Sequence, residues 1–126
     1  MKKLFLLSYL TVLLFSFEWQ NDYNKGISLS QKTQKIAMIM LSSETCDVCQ
    51  YMKHKVFTDN ALEYAVRSRF IPIEIDIVKQ EIPQGLRALG TPTFYFIDPQ
   101  TKRIIKRLVG GAKAEDFLEE LQKIKK

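Results

Sequence analysis

The chain has 126 residues, 46% of them apolar and 26% charged, with a formal net charge of +5. That length holds one domain of ordinary size with little room for a second core, and the composition excludes a disordered chain. The charge falls to about +3 without Lys2 and Lys3, and its basic clusters at 101–107 and 122–126 lack the aromatic interleaving that would argue for nucleic acid, which excludes that partner class.

Lys2 and Lys3 precede "LFLLSYLTVLLFSF" (4–17), about 14 residues without charge or proline. A basic head before a short apolar run is the pattern of an export signal, and the run is shorter than the roughly 20 residues of a spanning helix. Residues 1–20 therefore read as a signal peptide or an N-terminal membrane anchor. No A-x-A-like pair marks a cleavage site, so cleavage after Ser16 and retention both stay open. Residues 21–34, "NDYNKGISLSQKTQ", read as a polar lead-in or tether. The domain proper is expected over 35–126.

That domain opens with "KIAMIMLSS", a short apolar run suited to a strand buried on both faces. The stretch "CDVCQYMKHKVF" has Val48, Cys49, Met52 and Val56 at helical spacing. "TDNALEYAVRSRF" restarts a helix behind a cap at Thr58 or Asp59, with Leu62, Ala65 and Val66 inward. "FIPIEIDI" alternates as a second strand, and "IPQGLRAL" (82–89) is expected to be a short helix with Pro83 in its first turn. Two strands, 93–97 and 103–109, follow around a turn at "DPQT", and the short connection makes them antiparallel neighbours. "AKAEDFLEELQKIKK" closes as an amphipathic helix burying Phe117, Leu118, Leu121 and Ile124. This order implies an α/β fold, a central mixed sheet with helices on both faces.

The only two cysteines, Cys46 and Cys49, stand as C-x-x-C where the first strand hands over to a helix. Three uses compete for them. A tetrahedral metal needs about four ligands, and the only histidine, His54, lies about 12 Å along a continuous helix from Cys46 and some 140° around it from Cys49. It reads as a solvated surface residue, and no metal is expected. As a staple, a loop of about four residues stabilises by roughly 2 kcal/mol, against nearly 5 for about a hundred residues. The location favours the third use, redox exchange. Free N–H groups at the helix start stabilise a thiolate on Cys46, and Cys49 at i+3 can close the bridge.

The strand leading into "CDVC", the "GTPTF" segment beginning about 44 residues later, and the closing order of two strands, "VGG" and an amphipathic helix resemble the thioredoxin superfamily. The resemblance covers 35–126, and "CDVCQYMKHKVFTDNAL" is most similar to the thioredoxin-like domains of bacterial periplasmic thiol:disulfide interchange reductases. It implies a thioredoxin fold with four strands. By the same resemblance Cys46 is the nucleophile, Cys49 the resolving cysteine and Pro92 a cis-proline facing them, with Thr91 pairing to the substrate chain and Thr45, Asp47 and Val48 beside it. No organic cofactor is implied, because the dithiol carries the electrons. Expected partners are protein thiols and disulfides in a periplasmic or other extracytoplasmic compartment, a transmembrane thiol carrier as electron donor, and no second copy, the chain acting as a monomer. Two positions depart from the family. Thr45 stands where tryptophan is common, and Met40 replaces a buried acid that helps deprotonate the second cysteine, so that resolution needs water, Glu44 or Asp47. These departures keep a second reading alive, a binding or chaperone-like module without turnover. A disulfide isomerase ranks lower because no dimerisation domain precedes the fold.

Overall fold

The computed structural model describes residues 17–126, so the expected export segment falls mostly outside the described residues. The chain runs α1 (Tyr23–Thr33), β1 (Ile36–Ser42), α2 (Asp47–Tyr51) continuing into a π-helical turn (Met52–Val56), α3 (Asn60–Arg69), β2 (Phe70–Asp76), β3 (Thr93–Ile97), β4 (Ile104–Val109) and α4 (Ala114–Gln122). Its sheet has the order β2-β1-β3-β4. β1 pairs parallel to β2 and antiparallel to β3, and β3 pairs antiparallel to β4, so the sheet is mixed as the sequence implies.

All seven residues of β1 are buried, which is why the strand reads as an unbroken apolar run. Strand periodicity sorts them. Met38 and Met40 join Phe94, Phe96, Phe57, Leu62, Val66, Phe117 and Leu121 on one face, under α2, α3 and α4. Ala37, Ile39 and Leu41 join Ile73, Ile75, Tyr95 and Ile97 on the other, under α1. Each fully buried Leu, Ile or Phe stabilises by about 1.5–3 kcal/mol, and both faces are lined with such residues.

Three expectations are corrected. The polar lead-in is a helix. Asp22 caps α1 by accepting from the Lys25 N–H at 3.0 Å, and the helix ends at Gln34 in the left-handed conformation, φ 57°. Its buried face is made of Gly26 and Ser30, and Gly26 lies so close to Ile73 that a Cβ there would collide with the isoleucine side chain. Tyr23, Ile27 and Leu29 pack beside them only partly buried, a few apolar residues among many polar ones that leave a weak hydropathic signal, and the domain begins before residue 35.

The expected helix over 82–89 is absent: the segment is turns and irregular chain. Gly85 sits at φ 88°, outside helical space. Side chains of β3 take the backbone groups a helix would have paired. The Tyr95 hydroxyl accepts from the Arg87 N–H at 3.1 Å and donates to the Arg87 carbonyl at 2.8 Å. Thr93 Oγ1 accepts from the Leu89 N–H at 3.2 Å and donates to the Gly90 carbonyl at 2.6 Å.

The helix after the cysteines is not continuous α-helix. The Phe57 N–H donates to the Met52 carbonyl at 2.8 Å, an i→i+5 bond. Widening the turn advances each residue by less than 100°, which brings Met52, Val56 and Phe57 all into the core.

Residues 17–20 are also part of the fold. Gln20 bridges to Ile73 beside β2, and Phe17 and Trp19 pack edge-on against Phe57 at 5.9 and 5.2 Å between ring centres.

Candidate active site

Cys46 is the N-cap residue of α2, with extended backbone (φ −89°, ψ 106°). β1 ends at Ser42, and the Cys46 N–H donates to the Ser43 carbonyl at 3.1 Å, a tight turn that swings the chain from strand into helix. The cap position turns the side chain back over the first helical turn. There Cys46 Sγ accepts from the Cys49 N–H at 3.1 Å, an orphan donor of the helix start that would equally stabilise a thiolate. Cys46 and Cys49 are joined as a disulfide, with Cα atoms 5.2 Å apart. Their exposures differ: Cys46 is half-buried and Cys49 is fully buried. Only the first sulfur of the pair can be approached from solvent.

The second wall of the site is the start of β3. The Thr91–Pro92 peptide bond is cis, and the Thr91 carbonyl oxygen lies 3.4 Å from Cys46 Sγ. The third wall is the loop after β4. Gly110 donates its N–H to the Pro92 carbonyl at 2.8 Å, and Gly110 adopts φ 88°, which favours glycine. Gly111 lies against α2, where a Cβ would stand 2.6 Å from Val48 Cγ1. The next residue, Ala112, donates its N–H to Met52 Sδ at 3.4 Å. In the sequence the Gly-Gly pair is part of the "VGG" that follows the last strand; here it is the close contact that joins the loop to α2.

The structure brings together Cys46, Cys49, Val48, Thr91 and Pro92. Val48, between the two cysteines, is 45% exposed. Thr45 is exposed beside Cys46, its Oγ1 3.1 Å from Ser43 Oγ. Asp47 is exposed in the first turn of α2, where an acid suits the helix start. Glu44 turns outward into an ion pair with Lys79, and its hydrogen bond and charge raise the lysine above its usual range. His54 is exposed and pairs with Gln50 Oε1 at 3.1 Å. Among the described residues no three His, Cys, Asp or Glu side chains are arranged to hold a metal ion.

One acid near the site was not singled out from the sequence. Glu74 is the register partner of Met40 on the neighbouring strand. Its Oε1 accepts from Lys53 Nζ at 3.0 Å, and its Oε2 accepts from Ser42 Oγ at 3.2 Å. In the sequence it is simply the polar member of an alternating strand.

The family model of a thioredoxin-like domain matches residues 23–125. The solution structure of a thioredoxin from Thermus thermophilus superposes with a TM-score of 0.72 at 28% identity, covering 86% of each chain. The oxidised C-terminal domain of DsbD from Neisseria meningitidis superposes at 0.67 with 18% identity, covering 86% of this chain and all of that domain. A DsbH oxidoreductase does so at 0.63 with 16% identity, covering 88% of each. No curated protein sequence matches the chain significantly. The fold with its C-x-x-C pair at the head of α2 is that of a thiol–disulfide oxidoreductase, and the chain belongs to the thioredoxin-like domain family.

Proposed function

We propose that the protein reduces disulfides of exported proteins through the Cys46–Cys49 dithiol. The observation that carries this reading is the division of the pair: Cys46 is half-buried with a donor on its sulfur, and Cys49 is wholly enclosed behind it. The Cys46 thiolate attacks one sulfur of a client disulfide, that bond breaks, and a client thiolate leaves. Cys49, once deprotonated, attacks Cys46 Sγ. The mixed disulfide breaks, the second client thiolate leaves, and Cys46–Cys49 closes, so two electrons have passed to the client. Thr91 offers its backbone to the client chain as an added strand, Pro92 fixes the approach, and Thr45, Asp47 and Val48 line it.

The dithiol is the electron carrier, so the reaction needs no organic cofactor or metal. The basic head and apolar run at 2–17 support an extracytoplasmic site of action, as does the likeness to a DsbD domain. In such a compartment the oxidised pair is recharged by a transmembrane thiol carrier, and the protein works as a monomer. Among the described residues no helix is long and apolar enough to cross a membrane.

Cys49→Ala tests the reading. The variant is expected to hold clients as mixed disulfides through Cys46, released by dithiothreitol. A variant that holds clients without a covalent bond would leave instead the binding module that Met40 and Thr45 keep in view. Direction is tested by equilibrating the wild-type pair against thiol buffers: a potential near about −270 mV marks a reductant and one near about −120 mV an oxidant.

A further inference from the structure

Resolution requires Cys49 to lose a proton, yet its thiol is fully buried, and burial in apolar surroundings opposes the charged form. An acceptor has to come from an element packed around α2. Met38 and Met40 of β1, and Phe94 and Phe96 of β3, supply none. The loop after β4 meets α2 through Gly111 and Ala112, and its Lys113 is exposed. Asp47 on α2 is exposed, and Glu44 is engaged by Lys79. From β2 come two carboxylates, Glu74 and Asp76. Asp76 Oδ1 accepts from the N–H groups of Val78 and Lys79 at 2.9 and 3.3 Å, which ties it to its own turn.

Glu74 is placed differently. Paired residues of parallel neighbours stand side by side on one face of a sheet, and the register sets Glu74 beside Met40, on the face covered by α2. Lys53, one helical turn beyond Cys49, holds one of its oxygens at 3.0 Å, and Ser42 holds the other at 3.2 Å. The pair is largely enclosed, its side chains 25% and 16% exposed. It lines a polar cleft of about 330 Å³ together with Ser42, Ser43 and Gln50. A cleft of that size and polarity has room for water beside the Glu74 carboxylate, and Gln50 on its wall is the residue next to Cys49 in the chain.

We propose that Glu74 is the proton acceptor for Cys49 and that Lys53 is its positioning residue. This rests on the redox reading above. The Cys49 S–H proton passes through a water of the cleft to the Glu74 carboxylate, and the Cys49 thiolate then attacks Cys46 Sγ, expelling the client thiolate. Lys53 aims the carboxylate and balances the negative charge that moves from Glu74 to sulfur.

The test is a single turnover of the reduced protein with excess dithiobis-nitrobenzoate, whose released thiolate is coloured. The first equivalent reports attack by Cys46 and the second reports resolution by Cys49. In Glu74→Gln, which keeps the shape of the side chain, the first equivalent is expected at the wild-type rate. The second should lag by about tenfold or more at neutral pH, a modest share of what general bases contribute. The lag should shrink as rising pH deprotonates the thiol without help. Lys53→Gln, which leaves the carboxylate but not its aim, should give a smaller lag and serves if Glu74→Gln does not fold. Wild-type release of both equivalents across the pH range in the Glu74 and Lys53 variants would overturn the proposal. Failure of the wild-type protein to release even the first equivalent would overturn the redox reading, and this inference with it.

Discussion

Phe57 ends the π-helical turn and is 2% exposed. Four rings meet it edge-on: Phe17, Trp19, Phe94 and Phe117, with centres 5.9, 5.2, 6.0 and 5.2 Å away. Phe57→Ala removes the shared partner of all four, and the rings come from three separate parts of the chain, the N-terminal segment, β3 and α4, so the site cannot collapse by moving one element. Truncating a buried Phe costs about 3–5 kcal/mol, and edge-to-face pairs add about 0.5–1.5 kcal/mol each beyond their area, so the upper end of the range is expected. With total stabilities of about 5–15 kcal/mol, that is a large fraction of the fold. Urea unfolding of wild type and variant, followed by circular dichroism, measures it. Trp19 is the only tryptophan, so its fluorescence reports the N-terminal segment separately, and the two probes should give one coincident transition in the wild type. A loss below about 1.5 kcal/mol, less than burial of one such side chain supplies, would refute the cluster as a keystone of the fold. So would a fluorescence change well ahead of the circular dichroism change.

Gly26→Ala should lower stability by about 1–3 kcal/mol, the cost of overpacking, because the new methyl meets the fully buried Ile73 side chain; an unchanged melting temperature would show that α1 does not press on the sheet. Tyr95→Phe removes the hydroxyl that holds both backbone groups of Arg87; a loss of about 1–3 kcal/mol is expected for groups left unpaired, with faster amide exchange confined to the segment before β3, and uniform exchange would contradict it. Glu120 is held below its ordinary value of 4.5, first by the hydrogen bond from Lys106 and then by that from Lys123. A depressed carboxyl stabilises the fold above its unfolded value and loses that contribution as pH falls through the folded one. Glu120→Gln should therefore melt lower than wild type at neutral pH and converge with it as pH falls below the depressed carboxyl, where a persistent gap would argue against the ion pair.

The strands, α3 and α4 were legible because each buries large apolar residues at its own period, as Leu62 and Val66 do in α3 and Phe117 and Leu121 in α4. What stayed hidden follows one physical rule: contacts made by small or polar groups leave little trace in hydropathy. α1 fully buries only Gly26 and Ser30, and the irregular chain over 82–89 is fixed by hydroxyls of Thr93 and Tyr95 in the strand that follows it. The π-helical turn was hidden because Val48, Cys49, Met52 and Val56 fit a 3.6-residue period well enough, and only Phe57 needs the wider one. At the site, the spaced pair Cys46 and Cys49 is visible in one dimension, and the resemblance carried by "GTPTF" points to Thr91 and Pro92, which the structure sets beside Cys46. Glu74 was not, because its relation to Lys53 and Ser42 exists only once β1 and β2 are side by side.

The way the sheet ends at its two borders bears on how this protein behaves in a crowd. Beside β2 the Gln20 N–H donates to the Pro72 carbonyl at 2.9 Å and the Glu74 N–H donates to the Gln20 carbonyl at 2.8 Å, so one residue clasps the strand at its middle. Pro72 has no N–H to offer a further chain. At the opposite border β4 carries Lys106 and Arg107, with Lys102 and Arg103 just ahead of it. An incoming strand from another molecule would find a plug at one border and a line of cations at the other, so sheets of neighbouring copies are kept from fusing into one.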